Sequence, residues 1–207
     1  AVLYGLVAPQ ALFAASRNTG YISGGSWAPW LWGALDWVLP DAVARSITTT
    51  LGWVGLFVIG WMLSRVVTWS AVPGAGVPAR QDPLTITVRT ALVLCTAWLV
   101  TSPYTLAWYD LIAWVPLALL ALNRLDWLLV LRGTALSIAY VTSRTVGFSD
   151  VMVDVFGVAL RDVVSSAVQW FVLASIVHWF WTESRERPTW SFVRTGFTRL
   201  GRPAPAS

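Results

Sequence analysis

ITTTLGWVGLFVIGWML, residues 47–63, runs from Ile47 to Leu63 without a charge and is closed by Ser64-Arg65. A hydrocarbon core of about 30 Å takes roughly 20 apolar helical residues to cross. In lipid every backbone polar group must be satisfied within the segment, which a helix does by itself. Working outward from this run, residues 2–15, 84–101, 104–122, 127–141 and 163–181 are further apolar stretches. The expectation is an all-α polytopic membrane protein with about six transmembrane helices. The run at 2–15 is short, and the chain opens on Ala-Val-Leu-Tyr with neither an initiator Met nor a basic leader. It reads as a piece that starts partway through a hydrophobic helix.

Composition agrees. The 207 residues are 57% hydrophobic and only 12% charged, where a soluble domain carries about 25% charge. A water-soluble globule is excluded on that ground. All 14 basic residues are Arg, and the formal net charge is +4. The arginines do not gather on one soluble face, so nucleic acid is not an expected partner. The lone Cys95 lies in an apolar stretch, forms no internal disulfide and reads as a packing residue.

Arginine placement orients the chain. Arg65, Arg80, Arg89, Arg124 and the tail residues Arg185, Arg187, Arg194, Arg199 and Arg202 fall on one side; Arg17, Arg45, Arg144 and Arg161 fall on the other. The positive-inside rule makes the first side cytoplasmic. The expected organisation is a transmembrane region over residues 1–182 and a basic cytoplasmic tail over 183–207 in the plasma membrane. Loops 71–81 and 123–126 are then inside, and 16–46, 102–104 and 143–162 outside. Two outer segments suit helices lying at the membrane interface. Residues 26–39 hold Trp27, Trp30, Trp32 and Trp37, and residues 150–163 repeat apolar side chains at helical spacing.

Soluble-enzyme signatures are absent: no phosphate-binding Gly-rich loop, no Cys/His cluster, no nucleophile elbow. Neither a cofactor nor a metal ion is expected. Ionisable groups near the outer surface carry more weight, because each costs about 2.5–3.5 kcal/mol to insert. Asp110 admits two readings, a helix-start carboxylate at an aqueous interface or a polar wall where Tyr104, Tyr109 and Asp110 hydrogen-bond a sugar. Arg144, Arg161 and Arg17 either touch lipid head groups or grip a lipid phosphate, for which the guanidinium fork is suited. Arg132 is expected to snorkel to the inner face or pair with Asp126. His178 is a satisfied or interface-facing residue, or a proton relay. Gly60 and Ser64 offer a small-residue contact between helices.

The run Thr-Ser-Pro-Tyr-Thr-Leu-Ala-Trp-Tyr-Asp at 101–110 leads a longer pattern. It continues as Trp114-Val-Pro-Leu-Ala-Leu-Leu120, Arg124-Leu-Asp-Trp-Leu128, Arg132 and Ala139-Tyr-Val-Thr-Ser-Arg144. Together these resemble the C-terminal part of actinobacterial polyprenol-phosphomannose-dependent α-1,6-mannosyltransferases. Arg17-Asn-Thr-Gly-Tyr-Ile-Ser-Gly-Gly-Ser26 is similar to an outer-loop segment of that family. The resemblance implies a GT-C fold with its active site on the outer face. It implies transfer of mannose from polyprenyl-phosphate-mannose to a lipid-linked mannan acceptor, as in lipomannan and lipoarabinomannan assembly. The family's catalytic carboxylate lies in the first outer loop, and no residue here is assigned that role. Tyr104, Tyr109, Asp110, Arg144 and Arg161 are the expected substrate-binding residues. Two other classes stay open: a non-catalytic membrane scaffold, and a flippase or transporter for lipid-linked sugars.

Overall fold

Side-chain caps set the starts of three helices, at Asp82, Asn123 and Ser149. The structure is a computed structural model that describes residues 21–74, 76–142 and 149–186. Every regular element among them is helical: α1 (Ala28–Asp36), α2 (Asp41–Val66), α3 (Pro83–Thr101), a 3-10 turn (Ala107–Asp110), α4 (Leu111–Ala118), α5 (Arg124–Thr142), α6 (Asp150–Phe156), a π-helical segment (Gly157–Ser165) and α7 (Ser166–Glu186). Asp82 caps α3 by accepting from the amides of Leu84 and Thr85, with Pro83 in the first turn, where its missing N–H costs nothing. The Thr85 hydroxyl, and then its amide, hold the Asp82 carboxyl below the usual carboxylate range. At the start of α5, Asn123 Oδ1 accepts from Leu125 N (2.9 Å) while Asp126 Oδ2 accepts from Asn123 N (2.6 Å). This is a reciprocal cap in the manner of a capping box. Asp126 is therefore committed to its own helix end.

Among the described residues, two helices are long and apolar enough to cross a membrane, α2 and α3. At 26 and 19 residues they span about 39 and 28 Å at 1.5 Å per residue. They are the expected runs 47–63 and 84–101. Expected span 2–15 lies outside the described residues. Span 104–122 differs: residues 102–106 are not helical, and helix is confined to the 3-10 turn and α4, which contains Pro116. Pro103 forces Ser102 into extended backbone and stops α3 there. Span 127–141 falls within α5. Span 163–181 begins inside the π-helical segment, so the second interfacial helix and the last helix are one continuous helical run from 150 to 186. Within residues 26–39, expected to form a helix at the membrane interface, the helix α1 is present.

Helices α2 and α3 pack closely. A Cβ on Gly52 would stand 3.0 Å from Thr101 O and 3.1 Å from Pro103 Cδ, and one on Gly60 would be 3.6 Å from Ala97 Cβ. Small residues let helix backbones approach where lipid gives no hydrophobic drive to association. The core joins Leu63, Leu92, Leu99, Leu125, Leu129, Val172 and Ile176 across four helices. The opposite face of α2 presents Trp53, Val54, Phe57, Val58 and Trp61 outward, Phe57 being 73% exposed. A contiguous apolar face of that kind is foreign to a water-facing surface and at home in hydrocarbon.

The loops gather at two ends. At one, Ser23 N donates to Pro103 O (3.0 Å), Trp27 Nε1 to Thr101 O (3.1 Å) and Trp30 Nε1 to Asp162 O (3.0 Å). At the other, Thr85 Oγ1 accepts from Val72 N, Ser70 Oγ accepts from Ala121 N, and Arg124 lies over Trp179. Arg89 is buried at this second end. Its Nη2 donates to Ser64 O (2.7 Å) and Val67 O (2.8 Å), and its guanidinium sits 4.2 Å from the Trp69 ring centre. It answers the last carbonyls of α2, which have no partner within that helix. Arg89→Ala is expected to lower stability by about 1.5–3 kcal/mol, the range for hydrogen bonds to a charged group. Arg89→Lys restores only part, since an ammonium lacks the planar fork. Denaturant unfolding in detergent micelles, followed by circular dichroism, measures both.

Candidate functional site

The end where residues 21–30, 101–110 and 157–170 meet is built on two glycines. A Cβ on Gly24 would overlap Asp162 Oδ1, and one on Gly25 would press at 3.3 Å on Ser165 Oγ and Leu136. Their absence lets serine hydroxyls reach the backbone: Ser165 donates to Gly25 O (2.8 Å), and Ser166 to Gly24 O (3.0 Å) and Ser26 O (2.8 Å). The Ser23 hydroxyl donates to Thr105 O at 3.0 Å. These bonds frame a partly polar cleft of about 280 Å³, where Ser23, Thr105, Tyr140 and Arg161 stand among Leu106, Leu136 and Ala139. Arg161 stands half-exposed at this cleft, with its Nε donating to Asp162 Oδ1 at 3.0 Å.

The same stretch, 102–107, borders a second cleft. Trp53, Leu56, Trp98, Pro103, Tyr104 and Tyr109 line about 200 Å³ beside α2 and α3. The rings of Tyr104 and Tyr109 lie 6.2 Å apart, and Trp98 lies 5.7 Å from Tyr109. Gly52 forms part of the wall. This cleft is aromatic where the first is polar.

Asp110 belongs to neither. It is 2% exposed and forms an ion pair with Arg132, whose side chain is fully buried. Arg132 also donates through Nε to Gln169 Oε1 (2.9 Å), and through Nη2 to Thr105 Oγ1 (2.6 Å) and Leu99 O (2.8 Å). Burying two charges costs several kcal/mol each, repaid only when the remaining donors are answered. Here one guanidinium ties together α3, the 102–106 stretch, the 3-10 turn, α5 and α7. Arg132 thus neither snorkels to a helix end nor pairs with Asp126. The two are six residues apart, about 240° around a helix, and face different ways. Gln169 gave no signal in sequence, because its partner is 37 residues away.

The expected substrate-binding residues are therefore divided. Tyr104 and Tyr109 share the aromatic cleft, Arg161 lies in the polar one, and Asp110 sits in the interior with Arg132. Arg144 and Arg17 lie outside the described residues. His178 is exposed in a groove with Arg124 and Trp127 at the far end. The helix-start reading of Asp110 describes its position before α4, yet its side chain caps no amide there. No group of three or more potential metal-binding side chains occurs among the described residues. No family model, curated protein or solved structure matches the chain.

Single changes that break the buried pair, Arg132→Met or Asp110→Leu, are expected to cost about 3–5 kcal/mol each, because each strands a charge. The double change is expected to cost less than either, as apolar replacement of both partners removes the desolvation penalty. Asp126→Ala is expected to cost about 1 kcal/mol, the value of a cap, and to add to Arg132→Met without coupling. A double-mutant cycle by unfolding in micelles reads all of these.

Proposed function

We propose that this chain is the C-terminal portion of a GT-C-like membrane glycosyltransferase of about six spans. Mannose would pass from polyprenyl-phosphate-mannose to a growing α-1,6-mannan on the outer face of the plasma membrane, with the basic C-terminal tail inside. One observation carries this reading beyond the sequence resemblance: a polar cleft holding Arg161 and an aromatic cleft holding Tyr104 and Tyr109 flank a single stretch, 102–107. A prenyl-phosphate sugar has the same division. Its phosphate suits a guanidinium fork, and its isoprenoid chain suits an aromatic and aliphatic wall open toward lipid. The exposed apolar face of α2 beside the aromatic cleft gives that chain a route from the bilayer.

The carboxylates nearest the two clefts are both engaged, Asp110 by Arg132 and Asp162 by Arg161. In the transferase reading the acceptor-activating base then belongs to another segment. The same observation favours a second reading, a membrane scaffold that holds a partner enzyme without chemistry of its own. Binding of polyprenyl phosphate by the purified chain separates the two, since a scaffold has no use for the donor.

In membranes carrying the full-length enzyme, Arg161→Ala is expected to raise the donor KM by about tenfold, the loss of one charge-assisted contact. The acceptor KM stays unchanged. Tyr109→Ala is expected to act the same way more weakly, and Arg144→Ala tests the remaining arginine. Mannosyl transfer from a polyprenyl donor is the readout. Unchanged rates for Arg161, Arg144, Tyr104 and Tyr109 variants overturn the site.

A further inference from the structure

A third concavity, of about 520 Å³, lies between α5 and α7 at the end away from both clefts. Arg124, Trp127 and Leu128 wall it from the start of α5, and Phe171, Ala174, Ser175 and His178 from one face of α7. The two helices run in opposite directions, so the first residue of α5 meets the last turns of α7. There the Arg124 guanidinium lies 5.8 Å from the Trp179 ring centre, at the outer reach of a cation–π contact. From His178 the groove follows α7 back to Phe171, seven residues or about 10 Å away. It is basic at one end and mainly apolar along the rest, with the Ser175 hydroxyl one turn in from His178.

The basic end is open and unanswered. Arg124 and His178 are both exposed, and among the described residues neither side chain makes a hydrogen bond or an ion pair. Their polar neighbours at this end are spent on helix termini: Arg89 on the last carbonyls of α2, Asp126 on the cap of α5. No carboxylate lines the groove.

We infer that this groove holds one anionic phospholipid, with its phosphate against Arg124 and His178 and an acyl chain along Leu128, Ala174 and Phe171. The guanidinium fork matches a phosphate, and an imidazole offers an N–H donor in either charge state. Basic pockets between membrane helices on the cytoplasmic side are suited to anionic head groups, and the proposed topology puts this end there. Trp127, 79% exposed, stands one turn from Arg124, the depth at which indole rings favour the headgroup level. Ser175 lies where the ester carbonyls of a glycerolipid follow its phosphate. With no carboxylate to answer an ammonium, the groove favours a net negative head group over a zwitterionic one.

The inference rests on the membrane placement and orientation proposed above and not on the transfer reaction. Its test uses the whole chain in nanodiscs of equal phosphatidylcholine and phosphatidylglycerol with identical acyl chains. Native mass spectrometry after gentle detergent release counts the lipids retained. The expected result is one phosphatidylglycerol kept about tenfold in preference to phosphatidylcholine. Arg124→Gln is expected to remove that preference, the loss of one charge-assisted contact. Ala174→Trp, on an exposed position, fills the apolar part without touching the charge and lowers retention as well. Arg185→Gln removes a cation from the same end that lies over Trp181 and outside the groove, and leaves the preference unchanged.

Equal retention of the two lipids by the unaltered chain overturns the site without any variant. So does an undiminished preference in folded Arg124→Gln or Ala174→Trp. An equal loss in Arg185→Gln also overturns it, by assigning the preference to the overall charge of that end. Displacement of the lipid by excess glycerol 3-phosphate would give the site to a soluble anion instead. Failure of the chain to remain in the nanodiscs overturns the membrane placement itself, and is read separately from lipid choice.

Discussion

A guanidinium buried among helices must have its donors met by protein, since no water is at hand to meet them. Arg132 imposes that constraint on the fold. Its partners are Asp110, Thr105, Leu99 O and Gln169, contributed by four separate stretches of chain. Each partner has to be brought to a fixed place, so the 102–110 segment cannot continue as a full-length helix. It leaves α3 at Pro103, stays non-helical long enough to present Thr105, and turns through 3-10 geometry to deliver Asp110. The shortness of α4 follows from where that delivery ends and from Pro116 within it.

The two clefts are consequences of the same detour. A non-helical stretch between helices leaves space on both sides that a regular helix would fill with side chains. On the side of residues 23–25, glycine backbone and serine hydroxyls fill part of that space and leave the polar cleft by Arg161. Toward α2, Gly52 allows Pro103 to approach, and the tyrosines of the stretch turn toward Trp53 and Trp98. Thr105 links the frame to the cleft: its hydroxyl meets Arg132, its carbonyl meets Ser23, and it lines the polar cleft.

Much of the framework was legible because it depends on local signals. Runs 47–63 and 84–101 were readable as the apolar helices α2 and α3, with a break at 102–104 after the second; the caps at Asp82 and at Asn123 with Asp126 were not singled out. The tryptophan-rich segment before α2 was legible as α1. Continuity from α6 into α7 was not, because residues 157–165 adopt π-helical bonding for which periodicity gives no warning. The interior ion pair was half legible. Asp110 and Arg132 were each singled out, but Arg132 was assigned to the inner face or to Asp126, and joining it to Asp110 needs the packing of α5 against the 3-10 turn. The division of Tyr109 from its neighbour Asp110 was invisible for a related reason. Adjacent residues in a 3-10 turn point about 120° apart, so one enters the aromatic cleft as the other enters the core.

The two ends of the molecule use their polar residues differently. Where α2 ends and α3 and α5 begin, polar side chains are spent on chain termini. Arg89 answers α2, Asp82 answers α3, and Asn123 with Asp126 answer α5. Local repair of this kind stabilises a fold and offers nothing to a ligand. At the opposite end, backbone carbonyls of Gly24, Gly25 and Ser26 are met by serine hydroxyls from 165–166, and Trp27 meets Thr101 O. Framing done with small neutral groups leaves Arg161 half-exposed beside a cleft and braced by Asp162. An arginine held in that way costs side-chain freedom with little return in stability, since an exposed ion pair contributes about 0–1 kcal/mol. In the proposed reading, that placement suits an anionic group arriving from outside the chain.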